Sequence, residues 1–245
     1  MVAYIPVPVL ISALLQTLFH GKYVPKGDFE EMKRFFSISI FCVLLMILTQ
    51  PIGASGGALK SRPVDPSLLN SLRQGGYILY VRHGDATVGE DSPNINFNDC
   101  STQRNLPEAG RRQAVKFGEA LRSLQIPIQT PVLASPFCRT KETAALAFGE
   151  DKVQADPFWV KIYNLSGSLP PAEQQATLND LTSKLEASPP PKTNKVIVAH
   201  SFPQGIGLGE IPNLGTVVIK PRGQGNGFEV VGRFTLDELL GLLYR

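Results

Sequence analysis

The chain contains three histidines, His20, His83 and His200. Beyond the first 55 residues only His83 and His200 remain, and each directly follows an apolar run. Tyr77-Ile78-Leu79-Tyr80-Val81-Arg82 leads into His83, and Lys195-Val196-Ile197-Val198-Ala199 leads into His200. Such β-branched and aromatic runs read as strands buried on both faces of a sheet. In open α/β sheets the ligand site lies just beyond the carboxyl ends of the strands. Two parallel strands would therefore bring both imidazoles to one edge. Arg82 sits at that edge, and Arg139 falls in the first turn of a helix predicted after a third strand, Pro131-Val132-Leu133-Ala134. Neutral imidazole is a nucleophile near pH 7, guanidinium is a planar anion fork, and helix N-termini favour anions. The combination suits a phosphoryl group, whose transfer depends on positioning and charge stabilisation.

Those residues need a scaffold, and the pattern of elements supplies one. Asp65-Pro66 reads as an N-cap and first helical residue, with Gly75-Gly76 as the stop. Residues 85–104 form a polar loop, unusually long unless it serves a site. Pro107 opens a helix carrying Ala114, Phe117, Ala120 and Leu121 at helical spacing. A further helix follows Ser135-Pro136-Phe137-Cys138-Arg139-Thr140. Residues 152–155 read as a further strand and 156–169 as irregular, with Trp159 and Tyr163. An amphipathic helix spans 171–185 and a rigid Pro189-Pro190-Pro191 spacer follows. Antiparallel strands at 216–219 and 228–231 flank a Gly-rich turn, and 235–243 reads as a closing helix. Strand alternating with helix predicts an α/β fold with a mainly parallel sheet flanked by helices.

Composition is that of an ordinary globular protein, 43% hydrophobic and 18% charged with net charge +3. The N-terminal part stands apart. Met32-Lys33-Arg34 precedes an apolar run at 35–48, and small residues follow through Ala54 and Ala58. A basic region, a short apolar core and small residues at a cut site describe a secretory signal peptide over 32–55, or an N-terminal anchor if uncleaved. Residues 1–31 read as a doubtful upstream extension with translation starting at Met32; the alternative is a leader of two hydrophobic segments. Residues 56–64 form a linker and 65–245 the folded domain. Either leader exports the domain, to a periplasmic or envelope-anchored position, with membrane contact only through an uncleaved leader. Without residues 1–55 the chain keeps 20 of its 24 basic and 18 of its 21 acidic residues. That near-neutrality argues against a nucleic-acid partner.

Other chemistries fit poorly. A cysteine phosphatase needs Arg six positions after Cys, where Cys138 has Ala144 and Cys100 has Leu106. A serine-hydrolase elbow needs Gly two before and two after the serine; Ser201 has Ala199 and Pro203. Two histidines without a carboxylate cluster make a poor zinc site. Gly205-Ile206-Gly207-Leu208-Gly209 misses the dinucleotide spacing. Cys100 and Cys138 are either a disulfide, as an oxidising compartment favours, or two buried thiols.

The elements Arg82-His83-Gly84, Leu106-Pro107-Glu108-Ala109-Gly110 with Gln113-Ala114, Ser135 to Thr140 with Glu142-Thr143-Ala144, and Val198-Ala199-His200 together resemble the histidine phosphatase superfamily, the phosphoglycerate-mutase-like fold. The resemblance runs from about residue 76 to 234. It implies phosphomonoester hydrolysis through a phosphohistidine on His83, without cofactor or metal, on a small phosphorylated substrate. Arg82, Arg139 and His200 would hold the phosphoryl oxygens, with His200 more useful protonated. Many relatives carry a general-acid Glu on an insertion after the Arg139-type helix; residues 158–167 contain no carboxylate, and the position after His200 is Ser201. Asp85 and Glu210 remain as rival acids. Two other functions stay open: a non-catalytic phosphate- or sugar-phosphate-binding envelope module, and a phosphohistidine protein phosphatase.

Overall fold

The computed structural model describes residues 65–244, so the expectations for 1–31, 32–55 and 56–64 fall outside the described residues. Helix α1 (Pro66–Gln74) leads into strand β1 (Ile78–Arg82). Then come α2 (Glu108–Ser123), β2 (Val132–Ala134), α3 (Cys138–Phe148), β3 (Val153–Ala155), α4 (Phe158–Asn164) and α5 (Pro171–Leu185). The chain ends with β4 (Lys195–Ala199), β5 (Thr216–Pro221), β6 (Phe228–Phe234) and α6 (Leu236–Gly241). Six strands form one sheet in the order β3-β2-β4-β1-β5-β6. The β3-β2-β4-β1 half is parallel, and β5 and β6 continue it as antiparallel partners. This is the α/β class with a mainly parallel, helix-flanked sheet that the alternation predicts.

The two-residue period of the strands divides the core. Leu79 and Val81 of β1, with Val196 and Val198 of β4, face Phe117 and Leu121 of α2, Ala144 and Ala147 of α3, and Leu72 of α1. Ile78 and Tyr80, with Ile197 and Ala199, face Trp159 and Ile162 of α4 and Leu181 and Leu185 of α5. Continuous apolar strands are what a sheet covered on both faces requires. Each large buried side chain contributes about 1.5–3 kcal/mol relative to exposure.

Local signals set the helix ends. The Asp65 carboxylate accepts from Ser67 N–H at 2.9 Å, capping α1 ahead of Pro66. Thr235 and Glu238 form a reciprocal capping box on α6. The stretch 156–169, expected to be irregular, instead contains α4. The Asp156 carboxylate accepts from Phe158 N–H at 2.9 Å, and the two turns put Trp159 and Ile162 on one buried face. Tertiary burial of two residues outweighs a weak local pattern.

Candidate functional site

Strand register delivers the predicted residues to one edge. Arg82 pairs with Ala199 across β1 and β4, so His83 and His200 leave the sheet as neighbours. His83 N–H donates to the Ala199 carbonyl at 3.0 Å, and Ser135 N–H, at the end of β2, donates to the Val198 carbonyl at 3.0 Å. The two imidazole rings lie 5.6 Å apart between centroids. Arg139, in the first turn of α3, reaches the same point: its Nε donates to His83 Nε2 at 3.2 Å. His83, His200 and Arg139 are almost fully buried, whereas Arg82 is half-buried.

The tautomer of His83 follows from its neighbours. Nδ1 lies 2.7 Å from the Gly84 carbonyl, which can only accept, so Nδ1 carries the hydrogen. Arg139 Nε can only donate, so Nε2 presents its lone pair. Burial, then the Arg139 charge, with Arg82 and Arg104 adding, pushes the His83 pKa down to about 3 against the opposing Gly84 bond. His83 is thus neutral, with the lone pair of Nε2 turned toward Arg139.

His200 differs from the sequence expectation. Burial, followed by the neighbouring His83 and the charges of Arg139, Arg82 and Arg104, holds its pKa well below the ordinary imidazole value. Without a bound anion it is neutral, because it shares a buried corner with cations. Its Nε2 lies 3.0 Å from Ser135 Oγ, and its backbone carbonyl accepts from Tyr80 Oη at 2.8 Å. Phe137 and Tyr163 pack edge-on against its ring.

Gly84 is required by a close approach of two backbones. A Cβ on Gly84 would meet the Gly110 carbonyl at 2.9 Å, and one on Gly110 would meet the Asp85 carbonyl at 2.2 Å. The first turn of α2 therefore sits directly against the backbone after His83, and only glycine permits that approach. Gly84 N–H is received by Thr143 Oγ1 at 3.0 Å, which in turn donates to the Arg139 carbonyl at 2.7 Å.

The two rival carboxylates part company. Asp85 is half-buried, and its Oδ1 accepts from Ala86 N–H at 3.1 Å and from Asn213 Nδ2 at 2.9 Å. Its charge also supports the Arg82 cation, which burial and the charges of Arg104 and Arg139 weaken. Glu210 is exposed. It sits beside Ile211, whose carbonyl accepts from Arg82 Nη1 at 2.8 Å.

Several site residues had no clear sequence signal. Asp91, in the loop between β1 and α2, forms a bidentate pair with Arg139 at 2.8 and 3.0 Å. Tyr163 of α4 donates its hydroxyl to Asp91 Oδ2 at 3.0 Å, and Arg104 N–H donates to Oδ1 at 2.8 Å. Burial opposes ionisation of Asp91, but these bonds and the Arg139 charge keep its carboxyl below the usual range. Glu142, one turn from Arg139 and its simplest partner by spacing, pairs instead with Arg111 of α2 at 2.6 Å. The loop is tied down by a Cys100–Cys138 disulfide, 38 positions apart in sequence, next to Arg139 itself. Cys138 N–H also donates to Gln103 Oε1 at 2.8 Å.

Such a site, at the carboxyl edge of a parallel sheet, with a neutral imidazole nitrogen among arginines, has the groups that binding and transfer of a phosphoryl anion require. Residues 78–160 match the family model of the histidine phosphatase superfamily (branch 1). No curated protein matches the chain. Among solved structures it is similar to the protein histidine phosphatase SixA complexed with tungstate, at 16% identity over 66% of this chain and 99% of that one, with a TM-score of 0.41. A phosphoserine phosphatase mutant from Entamoeba histolytica, in complex with phosphoserine, matches at 14% identity over 66% and 98%, with a TM-score of 0.44. A mycobacterial glucosyl-3-phosphoglycerate phosphatase matches at 20% identity over 59% and 92%, with a TM-score of 0.40.

Proposed function

We propose that the protein hydrolyses phosphomonoesters through a phosphohistidine formed on His83, without a metal, outside the cytoplasm. The observation that carries this reading is the state of His83. Its Nδ1 hydrogen is held by the Gly84 carbonyl, and its unprotonated Nε2 accepts from the Arg139 Nε–H at 3.2 Å. A phosphoryl group placed there meets a nucleophile and a donor together.

In the proposed course, Nε2 attacks phosphorus in line while the bond to the ester oxygen breaks. Arg139 and Arg82 take the charge on the equatorial oxygens. The arriving dianion raises the pKa of His200, which takes a proton from solvent, donates a hydrogen bond to the phosphoryl group as a cation, and returns that proton when phosphate leaves. Asp85, which takes up a proton in the substrate complex, gives it to the departing alkoxide and is left as the carboxylate. Water, deprotonated by the Asp85 carboxylate, then attacks phosphorus and the P–N bond breaks, releasing phosphate and restoring neutral His83. Asp85 is preferred to Glu210 because it directly follows Gly84 and stands beside Arg82. The exported location rests on the leader at 32–55, and a disulfide suits an oxidising compartment.

The purified full chain should turn over nitrophenyl phosphate. Asp85→Asn should slow alkyl phosphates by on the order of 10²-fold or more, the usual range of general-acid help. Nitrophenyl esters, whose leaving group departs without protonation, should slow far less. Absence of turnover with retained phosphate binding would replace this reading with that of a binding module. Selective loss in Glu210→Gln would move the acid there.

A further inference from the structure

The loop between β1 and α2 places a carboxylate where it controls the direction of Arg139. A guanidinium offers five N–H donors in one plane. Asp91 takes one from each terminal nitrogen, Nη1 to Oδ1 at 2.8 Å and Nη2 to Oδ2 at 3.0 Å. The Arg104 carbonyl takes another from Nη1 at 3.3 Å. The remaining donors are Nε–H and the second hydrogen of Nη2, which share one edge of a planar guanidinium. That edge is the one facing His83 Nε2, 3.2 Å from Arg139 Nε. The Phe137 ring lies 4.4 Å beneath the guanidinium carbon and completes the clamp.

Asp91 is itself held. Its side chain is 4% exposed, and it receives Tyr163 Oη and Arg104 N–H in addition to the two Arg139 bonds. A carboxylate with four donors and no room for a proton is a poor general acid. Its geometry fits a different task. We propose that Asp91 is a positioning residue: by occupying both terminal nitrogens of Arg139, it turns the Nε edge of that arginine onto the phosphoryl group that His83 receives. The inference rests on the phosphatase reading and adds a residue to it.

The test is a double-mutant cycle between Asp91→Asn and Arg139→Lys, read in kcat, KM and vanadate affinity on the full chain. Asparagine keeps the size of Asp91 but sets an amide N–H against a guanidinium N–H. In the wild-type background, Asp91→Asn should lower kcat by on the order of 10²-fold, as misplacement of a catalytic group does. KM should change by less than about threefold, because positioning acts mainly on the transition state. Vanadate affinity should fall in parallel with kcat. In Arg139→Lys, which has no fork to orient, the same substitution should cost less than about twofold. Equal losses in both backgrounds would overturn the proposal, since a residue needed only for the fold acts regardless of Arg139. So would wild-type kinetics in Asp91→Asn. If that variant fails to fold, Tyr163→Phe, which removes one bond holding Asp91, should show a smaller loss that also vanishes in Arg139→Lys; an additive loss would count against the proposal. A wild-type protein that hydrolyses no ester would defeat the phosphatase reading alone, and the same cycle in vanadate affinity would still decide the role of Asp91.

Discussion

At His83 two neighbours with opposite hydrogen-bonding character decide which ring nitrogen is available. The Gly84 carbonyl takes the Nδ1 hydrogen and the Arg139 Nε–H meets Nε2. With a pKa near 3, the imidazole should stay neutral as the solution is acidified. Nitrogen NMR should show Nε2 unprotonated from pH 7 to pH 5, and a titration with a midpoint near 6.5 would contradict the assignment. The same shift links to stability. Between pH 6.5 and about 3 the unfolded chain binds a proton at His83 that the folded chain does not. Stability from the neutral imidazole is therefore fully present above pH 6.5 and falls on acidification, by at most about 1.4 kcal/mol per pH unit for one such group. Urea unfolding at pH 7 and pH 5 should show this slope, and His83→Asn should reduce it. At this scale His83, His200, Arg82 and Arg139 were legible, because each ends a buried strand or starts the next helix. Asp91 was not. Nothing in the type of one aspartate within a polar loop says which guanidinium it meets once that loop has folded.

The loop between β1 and α2 is the element on which the site depends most. Ser92 N–H donates to the Thr102 carbonyl at 2.9 Å, and Gln103 Nε2 donates to the Asn96 carbonyl at 2.8 Å, so the loop folds back on itself. The disulfide joins it to the first residue of α3. A loop of this length serving a site was readable from its polarity and size, while its internal bonding depends on side chains with no period. Helix α4 was missed for a related reason. Two turns between Pro157 and Gly167 give too few apolar repeats to register, and burial of Trp159 and Ile162 decides the conformation. Reduction of the bridge should destabilise the protein by roughly 3–4 kcal/mol in the chain-entropy model for a loop of about 40 residues. It should also lower phosphatase activity, because Asp91 and Arg104 lose their anchor beside Arg139. Thermal unfolding and thiol counting under denaturing, non-reducing conditions check both. Two free thiols in the purified protein, or full activity and stability after reduction, would contradict this role for the bridge.

Across the whole molecule, the strand order makes the site. β4 lies between β1 and β2, so the ends carrying His83, His200 and Ser135 are side by side, with α3 and Arg139 directly after β2. Alternation of elements along the chain was enough to predict a mainly parallel sheet with both histidines at one edge. It carried no information on which strands are neighbours, since parallel strands pair through crossovers of any partner. The antiparallel β5 and β6 were readable from the Gly-rich turn between them. The proposed chemistry of that arrangement is a phosphoryl group transiently bonded to His83. The direct test is rapid acid-free quenching of the full chain during turnover of a phosphate ester, followed by peptide mass spectrometry. One phosphoryl group is expected on the peptide containing His83, and neither label nor turnover in His83→Ala. A label on another residue, or turnover above a tenth of wild type in His83→Ala, would contradict it.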